Sequence, residues 1–538
     1  MLDGNSSLLA HRLQNAALLF LSLAFLPLDT FILFASFLFR AILPNEVEHH
    51  RREARQEHGF HPRTVLVTGV GMTKGLALAR LFHEAGHDVV GADFEPDGAL
   101  ACGRVSRSLK KFYRLEAPTQ KPGTPAGNSP DRYIQNLLDI VTREKVDLWV
   151  SCSGVASAVE DGMAKEVVES RTPCKAIQFD VHTTQILHEK HSFIKHTRDM
   201  GLHVPETHEI TSRARVEAIL RDTPPGRKYI MKTIGVDDSA RADMTLLPRD
   251  SGVETSKHLA RLKISPQSPW ILQQYIRGNE YCTHSLVVHG QVKAFVACPS
   301  AELLMHYDGL PFESPLSQAM LDFTRRYAAH GGTGFTGHLS FDFMVEERDE
   351  KALSPEDITL YPIECNPRAH TAVALFNGTT AVVDAYLSAL DLDQDKDSSN
   401  HSNTTSNTTS NNNTNGTAAT LVIHPARKDK YFWVGHDLVT RIILPTFSLL
   451  STLSATASGR SSRSSAASTS VSTALQSYAK FIRHVASPTW KDGTFQRWDP
   501  LPWWWLYHVY WPLRFWDSLV RARKWSRINV STTKMFEC

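Results

Sequence analysis

Residues 337–343 read GHLSFDF, and residues 361–368 read YPIECNPR. The first segment is typical of a strand and sets Asp342 among apolar neighbours. The two-residue period of a strand puts Glu364 and Asn366 of the second segment on one face. If the two strands pair, two carboxylates and an amide oxygen converge, and such hard oxygen ligands suit Mg²⁺. The two segments therefore predict a divalent-cation site.

The next basic residue suggests phosphate chemistry at this site. Arg368 lies two positions beyond Asn366 and could stabilise the charge that develops on a transferred phosphoryl group. A surface cluster of ion pairs is the alternative interpretation. An acid inside an apolar strand is costly without a cation or a partner, which favours the cation site.

Composition excludes several classes of function. The 538 residues predict two or three packed units, at about 150 residues for each domain. Lys and Arg total 58 against 56 Asp and Glu, a net charge of +2, so we expect no nucleic-acid partner. The 7 cysteines include no C-x-x-C pair, which predicts neither a structural zinc site nor a disulfide framework.

Residues 63–185 are expected to form a parallel sheet. Strand-like and helix-like segments alternate there in the order that is typical of βαβ units. The predicted strands are 64–68, 88–92 and 148–151, and the predicted helices are 76–85 and 133–144. Residues 186–395 continue as mixed α+β structure.

The first predicted turn, residues 68–75, reads TGVGMTKG. The dinucleotide fingerprint G-x-G-x-x-G would need glycine at the position of Lys74. Asp93 ends the second predicted strand, where a dehydrogenase would carry its ribose-binding acid. Structural turn glycines are the favoured interpretation, while substrate or phosphate binding and a Rossmann-type oxidoreductase stay open.

Residues 16–39 are predicted to associate with a membrane. The segment is apolar except at Ser22, Asp29, Thr30 and Ser36. A helix of this length rises about 36 Å, enough for a hydrocarbon layer of roughly 30 Å. Pro27 and Asp29 divide it, so a single tilted span and a hairpin of two half-length helices both stay open, with a buried helical hairpin as the alternative. The arginines that follow predict that the bulk of the chain faces the cytosol.

Two unusual compositions follow the α+β region. Residues 398–417 hold 18 Ser, Thr or Asn in 20 positions, which predicts a disordered insert. Nine of the 11 tryptophans lie beyond residue 421, several of them close to arginines. Aromatic residues beside cations suit a bilayer interface, and an aromatic cap on the core is the alternative.

The Phe-Asp-Phe and Glu-x-Asn-Pro-Arg segments resemble those of the ATP-grasp superfamily. The resemblance implies an α/β and α+β architecture, in which a Rossmann-like pre-ATP domain precedes two lobes that clasp ATP. It also implies that Asp342, Glu364 and Asn366 bind Mg²⁺, for which Mn²⁺ can substitute. Arg368 then acts as a catalytic residue beside the reacting phosphate.

Upstream segments are similar to the nucleotide contacts of the superfamily. The resemblance assigns phosphate binding to Lys190 and to Lys232, the lysine that ends YIMK, and gives Lys232 a catalytic role. The segment WILQQYIRGNE at 270–280 resembles the hinge between the lobes. ATP contacts there fall on Gln273, Gln274, Ile276 and Glu280. Many relatives carry Glu in this hinge, where this chain has Gln273 and Gln274. The side chain that contacts the adenine amino group is therefore expected to be an uncharged amide here.

Within the superfamily the chain is most similar to mycosporine-glycine synthases, ligases that join glycine to 4-deoxygadusol. The matching segments include GMTK at 71–74, ARLFHEAGH at 79–87 and EYCTHS at 280–285. The insert at 398–417 departs from the bacterial members and resembles eukaryotic, fungal sequences. A related amino-acid ligase of secondary metabolism is therefore equally open.

The resemblance and the composition together divide the chain into seven parts. These are a membrane-associated helical segment (1–45), a basic linker (46–62), the pre-ATP domain (63–185), the N-terminal and lid lobe (186–275), the C-terminal lobe with the Mg²⁺ site (276–395), the disordered insert (396–420) and a Trp-rich region (421–538) with a Ser-rich loop near 451–473.

The expected activity is ATP-dependent ligation in two steps. ATP phosphorylates a carboxylate, or an enol oxygen conjugated to a ketone, and the amine of an amino acid then displaces phosphate. Arg241 and His370 are further candidates for contact with substrate or phosphate. A membrane-tethered nucleotide-binding protein with a degenerate site and an oxidoreductase are the alternatives. We expect small-molecule acid and amino-acid substrates, and the oligomeric state stays open, a homodimer included.

Overall fold

The computed structural model describes residues 2, 4–118, 131–152, 154, 157–233, 243–300, 305–393, 421–457 and 464–538. Two predicted features lie outside these residues, namely Arg241 and the insert at 398–417. The described chain forms five β-sheets with helices around them.

Helices occur along the whole described chain. They are α1 (Leu8–Ile42), α2 (Glu46–Gln56), α3 (Thr73–Glu84), α4 (Asp131–Glu144), α5 (Ala158–Arg171), α6 (Val181–His188), α7 (Lys190–Asp199), α8 (Arg213–Arg221), α9 (Gly252–Leu259), α10 (Pro315–His330), α11 (Ala381–Leu387), α12 (Val434–Asp437), α13 (Leu444–Ala457), α14 (Ser464–Ala486), α15 (Leu501–Trp505) and α16 (Trp511–Val520). π-Helical turns over Leu438–Ile443 and Leu506–Tyr510 join α12 to α13 and α15 to α16.

The strands of the described chain lie mainly between residues 64 and 366. They are β1 (Thr64–Thr68), β2 (Asp88–Phe94), β3 (Leu109–Leu115), β4 (Leu148–Val150), β5 (Lys175–Ile177), β6 (Thr207–Ile210), β7 (Tyr229–Thr233), β8 (Trp270–Gln274), β9 (Gly278–Val288), β10 (Gln291–Pro299), β11 (His306–Tyr307), β12 (Gly337–Glu346), β13 (Leu360–Asn366), β14 (Lys430–Phe432), β15 (Trp490–Asp492), β16 (Trp525–Asn529) and β17 (Lys534–Glu537).

The first sheet is parallel and has the strand order β3-β2-β1-β4-β5. Val65, Leu66 and Val67 of the central strand are fully buried. A continuous run of buried apolar residues is typical of a parallel strand that is covered on both faces. The strands and helices predicted within residues 63–185 are confirmed, with small shifts at their ends.

Two antiparallel sheets follow the parallel sheet. The smaller one has the order β6-β8-β7, and the larger one has the order β10-β9-β12-β13. α10 covers the larger sheet, where Phe323 packs edge-on against Phe341 and Phe343. The predicted combination of a parallel sheet with mixed α+β structure is therefore confirmed.

The N-terminal apolar segment forms one helix, which excludes the open alternatives that divide it into two half-length helices. α1 continues through Pro27 over 35 residues. His508 Nε2 lies 2.9 Å from Asp29 Oδ2, and Trp504 Nε1 donates to Thr30 Oγ1 at 3.1 Å. These partners satisfy the polar side chains near the predicted break. Their hydrogen bonds help to offset the backbone hydrogen bond that Pro27 cannot donate.

α1 is held along its length by the C-terminal region. Trp525 Nε1 donates to Asn15 Oδ1 at 3.0 Å, and Ser22 donates to the carbonyl oxygen of Tyr507 at 2.9 Å. The opposite face exposes large apolar side chains such as Phe31. Within the described residues α1 alone is long and apolar enough to cross a membrane.

Helices cover most of the segment that is predicted to be a Ser-rich loop near 451–473. α13 continues to Ala457, and α14 already begins at Ser464. The helix propensity of serine is less favourable than that of alanine by only about 0.5 kcal/mol per residue. The two helices pack together, and the hydroxyls of Thr446 and Tyr478 are 2.7 Å apart. Packing therefore overrides the weak helix propensity of this segment.

Most of the clustered tryptophans contribute to the core. Trp503, Trp511 and Trp525 are buried, whereas Trp516 on α16 is exposed. Trp525 stacks on Phe515, with ring centroids 5.9 Å apart. The aromatic-cap interpretation therefore describes the buried tryptophans.

A buried ion pair anchors the C-terminal region to the first sheet. Arg80 lies on α3, and its Nε is 2.9 Å from Asp499 Oδ2. Arg80 also donates to the carbonyl oxygen of Thr494 at 2.9 Å. Asp499 accepts hydrogen bonds from Ser106 Oγ at 2.6 Å and from the N–H of Arg107 at 2.9 Å. Both side chains are buried away from water, so the charge of each is compensated by the other.

We expect Asp499→Asn to lower the free energy of unfolding by about 3–5 kcal/mol, because Arg80 then stays buried without its counter-charge. Urea denaturation followed by circular dichroism measures the change. Asp322→Asn is the control, since Arg325 and Asp322 form a pair with side chains 43% and 58% exposed. Such a pair contributes about 0–1 kcal/mol. Equal losses in the two variants would contradict the anchoring role of Asp499.

Candidate functional site

The three predicted cation ligands lie together at the edge of the larger antiparallel sheet. β12 and β13 pair with Asp342 opposite Glu364 and with Ser340 opposite Asn366. Directly opposed residues project from the same face of a sheet. Asn366 Nδ2 donates to Asp342 Oδ2 at 3.2 Å. Rotation of the Asn366 amide would present its oxygen at the same point, so all three side chains can offer oxygen ligands.

The electrostatics of Asp342 fit a bound cation. Burial raises the pKa of Asp342 well above its usual value, and the carboxylates of Glu364 and Glu280 raise it further. The positive charges of Arg368 and Lys190 act in the opposite direction. A divalent cation bound by Asp342 and Glu364 would offset their repulsion and favour their ionised forms. The donor set therefore fits Mg²⁺.

The two predicted phosphate-binding lysines reach this site from different elements. Lys190 begins α7, and its Nζ lies 2.8 Å from Glu364 Oε2. Lys232 lies in β7, and its Nζ donates to Gln273 Oε1 at 2.7 Å. Burial, together with the positive charge of Lys190, lowers the pKa of Lys232 to about 8. Two amines beside a carboxylate cluster suit a polyphosphate that brings its own cation.

The two glutamines of the predicted hinge are engaged within the smaller antiparallel sheet. The N–H of Gln274 donates to the carbonyl oxygen of Glu206 at 2.8 Å, and Gln274 Oε1 accepts the N–H of Glu206 at 3.2 Å. Gln273 accepts from Lys232 and donates through Nε2 to Thr207 Oγ1 at 3.2 Å. Their side chains therefore hold the hinge strand and Lys232 in place.

The remaining predicted ATP contacts differ in exposure. Ile276 is buried, and Glu280 is exposed at the start of β9. Glu280 Oε1 accepts a hydrogen bond from Ser300 Oγ at 2.8 Å. Arg241 lies outside the described residues. Glu280 therefore has an accessible carboxylate for a sugar hydroxyl, and the part assigned to Arg241 stays a prediction.

Arg368 lies beside the candidate cation ligands, in the turn that follows β13. Its N–H donates to the carbonyl oxygen of Asn366 at 2.8 Å. Its Nη1 is buried and has no hydrogen-bond partner among the described residues. Burial lowers the pKa of Arg368, while Glu364 and Asp342 oppose that shift. A buried guanidinium N–H without an acceptor is costly, and an anion at this position would remove the cost.

His370 is part of the same turn but carries no positive charge. Its N–H donates to His284 Nδ1 at 3.3 Å, and its own Nδ1 accepts the N–H of Ala372 at 3.3 Å. Burial, with the charges of Arg368 and Lys74, lowers the pKa of His370 to about 3. The neutral ring at pH 7 caps the following 3₁₀ turn and cannot neutralise a phosphate.

Sequence reasoning missed three buried basic residues close to Arg368, namely Lys74, His284 and His338. Lys74 reaches from α3 to the turn after β13, where its Nζ donates to the carbonyl oxygen of Ala369 at 3.1 Å. Burial and the charge of Arg368 lower the pKa of Lys74 to about 7. The sequence signals were the GMTK segment that contains Lys74 and the EYCTHS segment that contains His284. The two histidines come from separate strands, so the sequence did not place them together.

The first βα turn is closed by the protein itself. The N–H of Gly71 donates to Asp93 Oδ2 at 2.5 Å, and the N–H of Thr73 donates to the carbonyl oxygen of Ser531 at 2.9 Å. These contacts occupy the positions at which a dinucleotide would place its ribose and pyrophosphate. The arrangement argues against the oxidoreductase. Gly69 has φ of +74°, which supports the interpretation as a structural turn glycine.

Comparisons with known proteins give a partial likeness to solved structures. No protein-family profile and no curated protein matches the chain. L-amino acid ligase from Bacillus licheniformis is 13% identical over 57% of this chain and 67% of its own, with a TM-score of 0.37. N5-carboxyaminoimidazole synthetase from Staphylococcus aureus, solved with ADP, is 12% identical over 58% and 71%, with a TM-score of 0.39. The biotin carboxylase domain of a single-chain bacterial carboxylase is 14% identical over 62% and 70%, with a TM-score of 0.41.

Proposed function

We propose that the chain is an ATP-dependent ligase of the ATP-grasp type that forms a C–N bond. The observation that carries the proposal is the convergence of Asp342 and Glu364 with two amines, those of Lys190 and Lys232. Phosphoryl transfer from ATP needs carboxylates for a divalent cation and positive groups for the phosphates. Arg368, whose Nη1 has no hydrogen-bond partner in the described part of the chain, adds a third positive group beside them.

The proposed reaction has two steps. An oxygen of the acid substrate attacks the γ-phosphorus of ATP, the bond from that phosphorus to the bridging oxygen breaks, and ADP leaves. The amine then attacks the activated carbon, loses a proton, and phosphate leaves with the substrate oxygen. Mg²⁺, held by Asp342, Glu364 and Asn366, would neutralise charge on the phosphates. Lys232 orients the phosphates, and Arg368 stabilises the group in transfer.

Lys74 supports an anionic acid substrate next to Arg368. The hydrogen bond from Lys74 to Ala369 brings a second basic side chain to the turn that carries the guanidinium, and a bound anion would favour the charged form of its amine. Burial lowers the pKa of His338 to about 3, so this histidine is neutral at pH 7 like His370. An anion, either a carboxylate or the enolate of a vinylogous acid, is the ligand that two neighbouring cations favour.

Mycosporine-type ligation is the finer proposal for the substrates. In that reaction the acid is 4-deoxygadusol, a vinylogous acid whose enol oxygen accepts the phosphoryl group, and the amine is glycine. Two segments that carry the resemblance contribute to the site, since Lys74 belongs to 71–74 and His284 to 280–285. His284 accepts the N–H of His370 in the turn beyond Arg368. Another amino-acid ligase of secondary metabolism is the second candidate.

We expect Glu364→Gln to reduce ADP formation at least about a hundredfold, because the site loses one of its two opposed carboxylates. The assay combines the purified chain with ATP, Mg²⁺, 4-deoxygadusol and a panel of amino acids, and mass spectrometry detects a conjugate lighter than the summed reactants by one water. Glu356→Gln is the matched control, since Glu356 is exposed in the same lobe. ADP formation that survives Glu364→Gln would refute the assignment of the site. A wild type that binds ATP without turnover would support the degenerate nucleotide-binding protein.

The pH dependence of ATP use should follow Lys232. Its pKa, lowered to about 8, keeps the amine charged below that pH and neutral above it. The KM for ATP is therefore expected to rise as the pH increases through 8, up to about tenfold per pH unit. Lys232→Arg keeps the charge at every pH and should abolish this rise. Steady-state kinetics over about pH 6.5 to 9.5 compares the wild type with Lys232→Arg. Identical profiles would exclude Lys232 as the titrating group.

We also infer that α1 attaches the chain to a membrane surface without crossing it. Its polar side chains, including Asn15 and Asp29, are bonded to the C-terminal region rather than left to lipid. Phe20 and Phe31 on the other side are 72% and 70% exposed. A helix with one face against protein and an apolar face outward is expected to lie in the plane of the bilayer interface.

We expect Phe31→Lys to lower binding to phosphatidylcholine vesicles about tenfold or more, because burial of a phenylalanine contributes about 1.5–3 kcal/mol. Vesicle flotation measures the bound fraction. Leu353→Lys is the control, since Leu353 is 94% exposed but lies between β12 and β13, and it should leave binding unchanged. When the chain is bound to vesicles, protease added outside should cleave both an N-terminal tag and the residues that follow α1. Protection of the tag by intact vesicles would show that α1 crosses the bilayer.

A further inference from the structure

A cavity of about 300 Å³ lies at the C-terminal end of α1. The end of α1, the start of α2, α3 and parts of the C-terminal region form its walls. None of the residues of the proposed active site lines it. Its volume is at the lower end of the range for small-molecule sites, roughly 300–1,000 Å³. The cavity is therefore a second candidate site, separate from the ligase chemistry.

The walls of the cavity carry an excess of basic side chains. The basic residues are Arg40, Arg80, Arg427, Lys491 and Arg497, and the acidic residues are Glu46, Glu84 and Asp429. Arg80 is paired with Asp499, and Glu84 Oε1 lies 2.9 Å from His50 Nδ1. Without these two, four basic residues face two acids. The cavity is therefore suited to an anion.

Among the described residues, two of these arginines have guanidinium nitrogens with no carboxylate within hydrogen-bond distance. Arg40 Nη1 is buried and has no hydrogen-bond partner within the described part of the chain. Burial and the nearby charge of Arg107 lower the pKa of Arg40. Arg427 has Glu46 as an acidic neighbour, but Nη2 and Oε2 are 3.9 Å apart, too far for a hydrogen bond. An anion with several oxygens would supply the acceptors that both guanidinium groups need.

Exposed apolar residues lead directly to the cavity. Phe39 and Ile42 are exposed in the last turn of α1, and Leu43 is both exposed and part of the cavity wall. A phospholipid bound here would place its acyl chains beside the helix and its headgroup against the arginines. Basic pockets beside membrane-embedded segments bind anionic headgroups in this way.

We propose that this cavity binds a phosphate group. The planar fork of arginine matches two phosphate oxygens at once, which favours phosphate over a spherical anion. The headgroup of an anionic phospholipid is the favoured source because of the apolar approach, and a soluble phosphate is the other source. The lipid source rests on the proposed membrane attachment, whereas phosphate binding itself does not.

Titration calorimetry of the full chain in a non-ionic detergent tests the proposal with two probes, inorganic phosphate and dihexanoyl phosphatidic acid. We expect both to bind, the lipid about tenfold more tightly or better because its chains contact apolar surface, and each to compete with the other. Arg40→Gln and Arg427→Gln should each weaken both probes about tenfold or more, the effect of losing a charge-assisted hydrogen bond.

Arg12→Gln is the matched control. Arg12 is an exposed arginine near the other end of α1. Arg12→Gln therefore has the same net charge as Arg40→Gln and Arg427→Gln, but it leaves the cavity wall unchanged. It should bind both probes like the wild type. MgADP binding and far-ultraviolet circular dichroism check that each variant is folded. Lys491→Gln, at an exposed position of the cavity wall, is a second variant in case Arg40→Gln does not fold.

The outcomes separate the two sources and the two proposals. Equal affinity for the two probes would support a phosphate site and overturn the lipid source. Binding that is absent, that is unchanged in Arg40→Gln, Arg427→Gln and Lys491→Gln, or that falls equally in Arg12→Gln would overturn the proposal. Phosphate binding by a wild type that does not float with vesicles would overturn the membrane attachment alone.

Discussion

The register between β12 and β13 is the constraint on which the candidate site depends. Phe341 and Phe343 are fully buried on one face of β12, and this places Asp342 on the other face, opposite Glu364. A slip of one residue would turn the carboxylate into the core and the phenylalanines outward. The register shift that follows Asp342 further distinguishes this alignment from its neighbours. The aromatic core under the sheet therefore fixes the geometry of the acids above it.

The C-terminal region packs against the parallel-sheet unit and is held to it by contacts with α3. Asp499 neutralises Arg80, and the carbonyl oxygen of Ser531 accepts the N–H of Thr73 at the start of α3. Trp433 Nε1 donates to Thr73 Oγ1 at 3.1 Å, so the same helix end is held a second time. These contacts close the turn that resembled a dinucleotide site. The C-terminal region thus decides which chemistry the first sheet can support.

The sequence was informative where a residue type and a local period determine the structure. The period of β13 was sufficient to bring Glu364 and Asn366 to one face, and the apolar runs located the parallel strands. Tertiary contacts excluded one open alternative and overturned part of one prediction. The contact of His508 with Asp29 accompanies an undivided α1, and the packing of α13 on α14 makes most of the predicted Ser-rich loop helical. Lys74 was missed for the same reason, since its contact with Ala369 spans 295 positions.

The dependence of α1 on the C-terminal region has a consequence for biogenesis. Thr30 receives its hydrogen bond from Trp504, which the ribosome adds 474 residues later. At roughly 5–20 residues per second, Trp504 would be added about 24–95 s after Thr30. During that interval its apolar face and its polar face are both uncovered. A nascent chain of this kind requires either early delivery to a lipid surface or protection by a chaperone until translation ends.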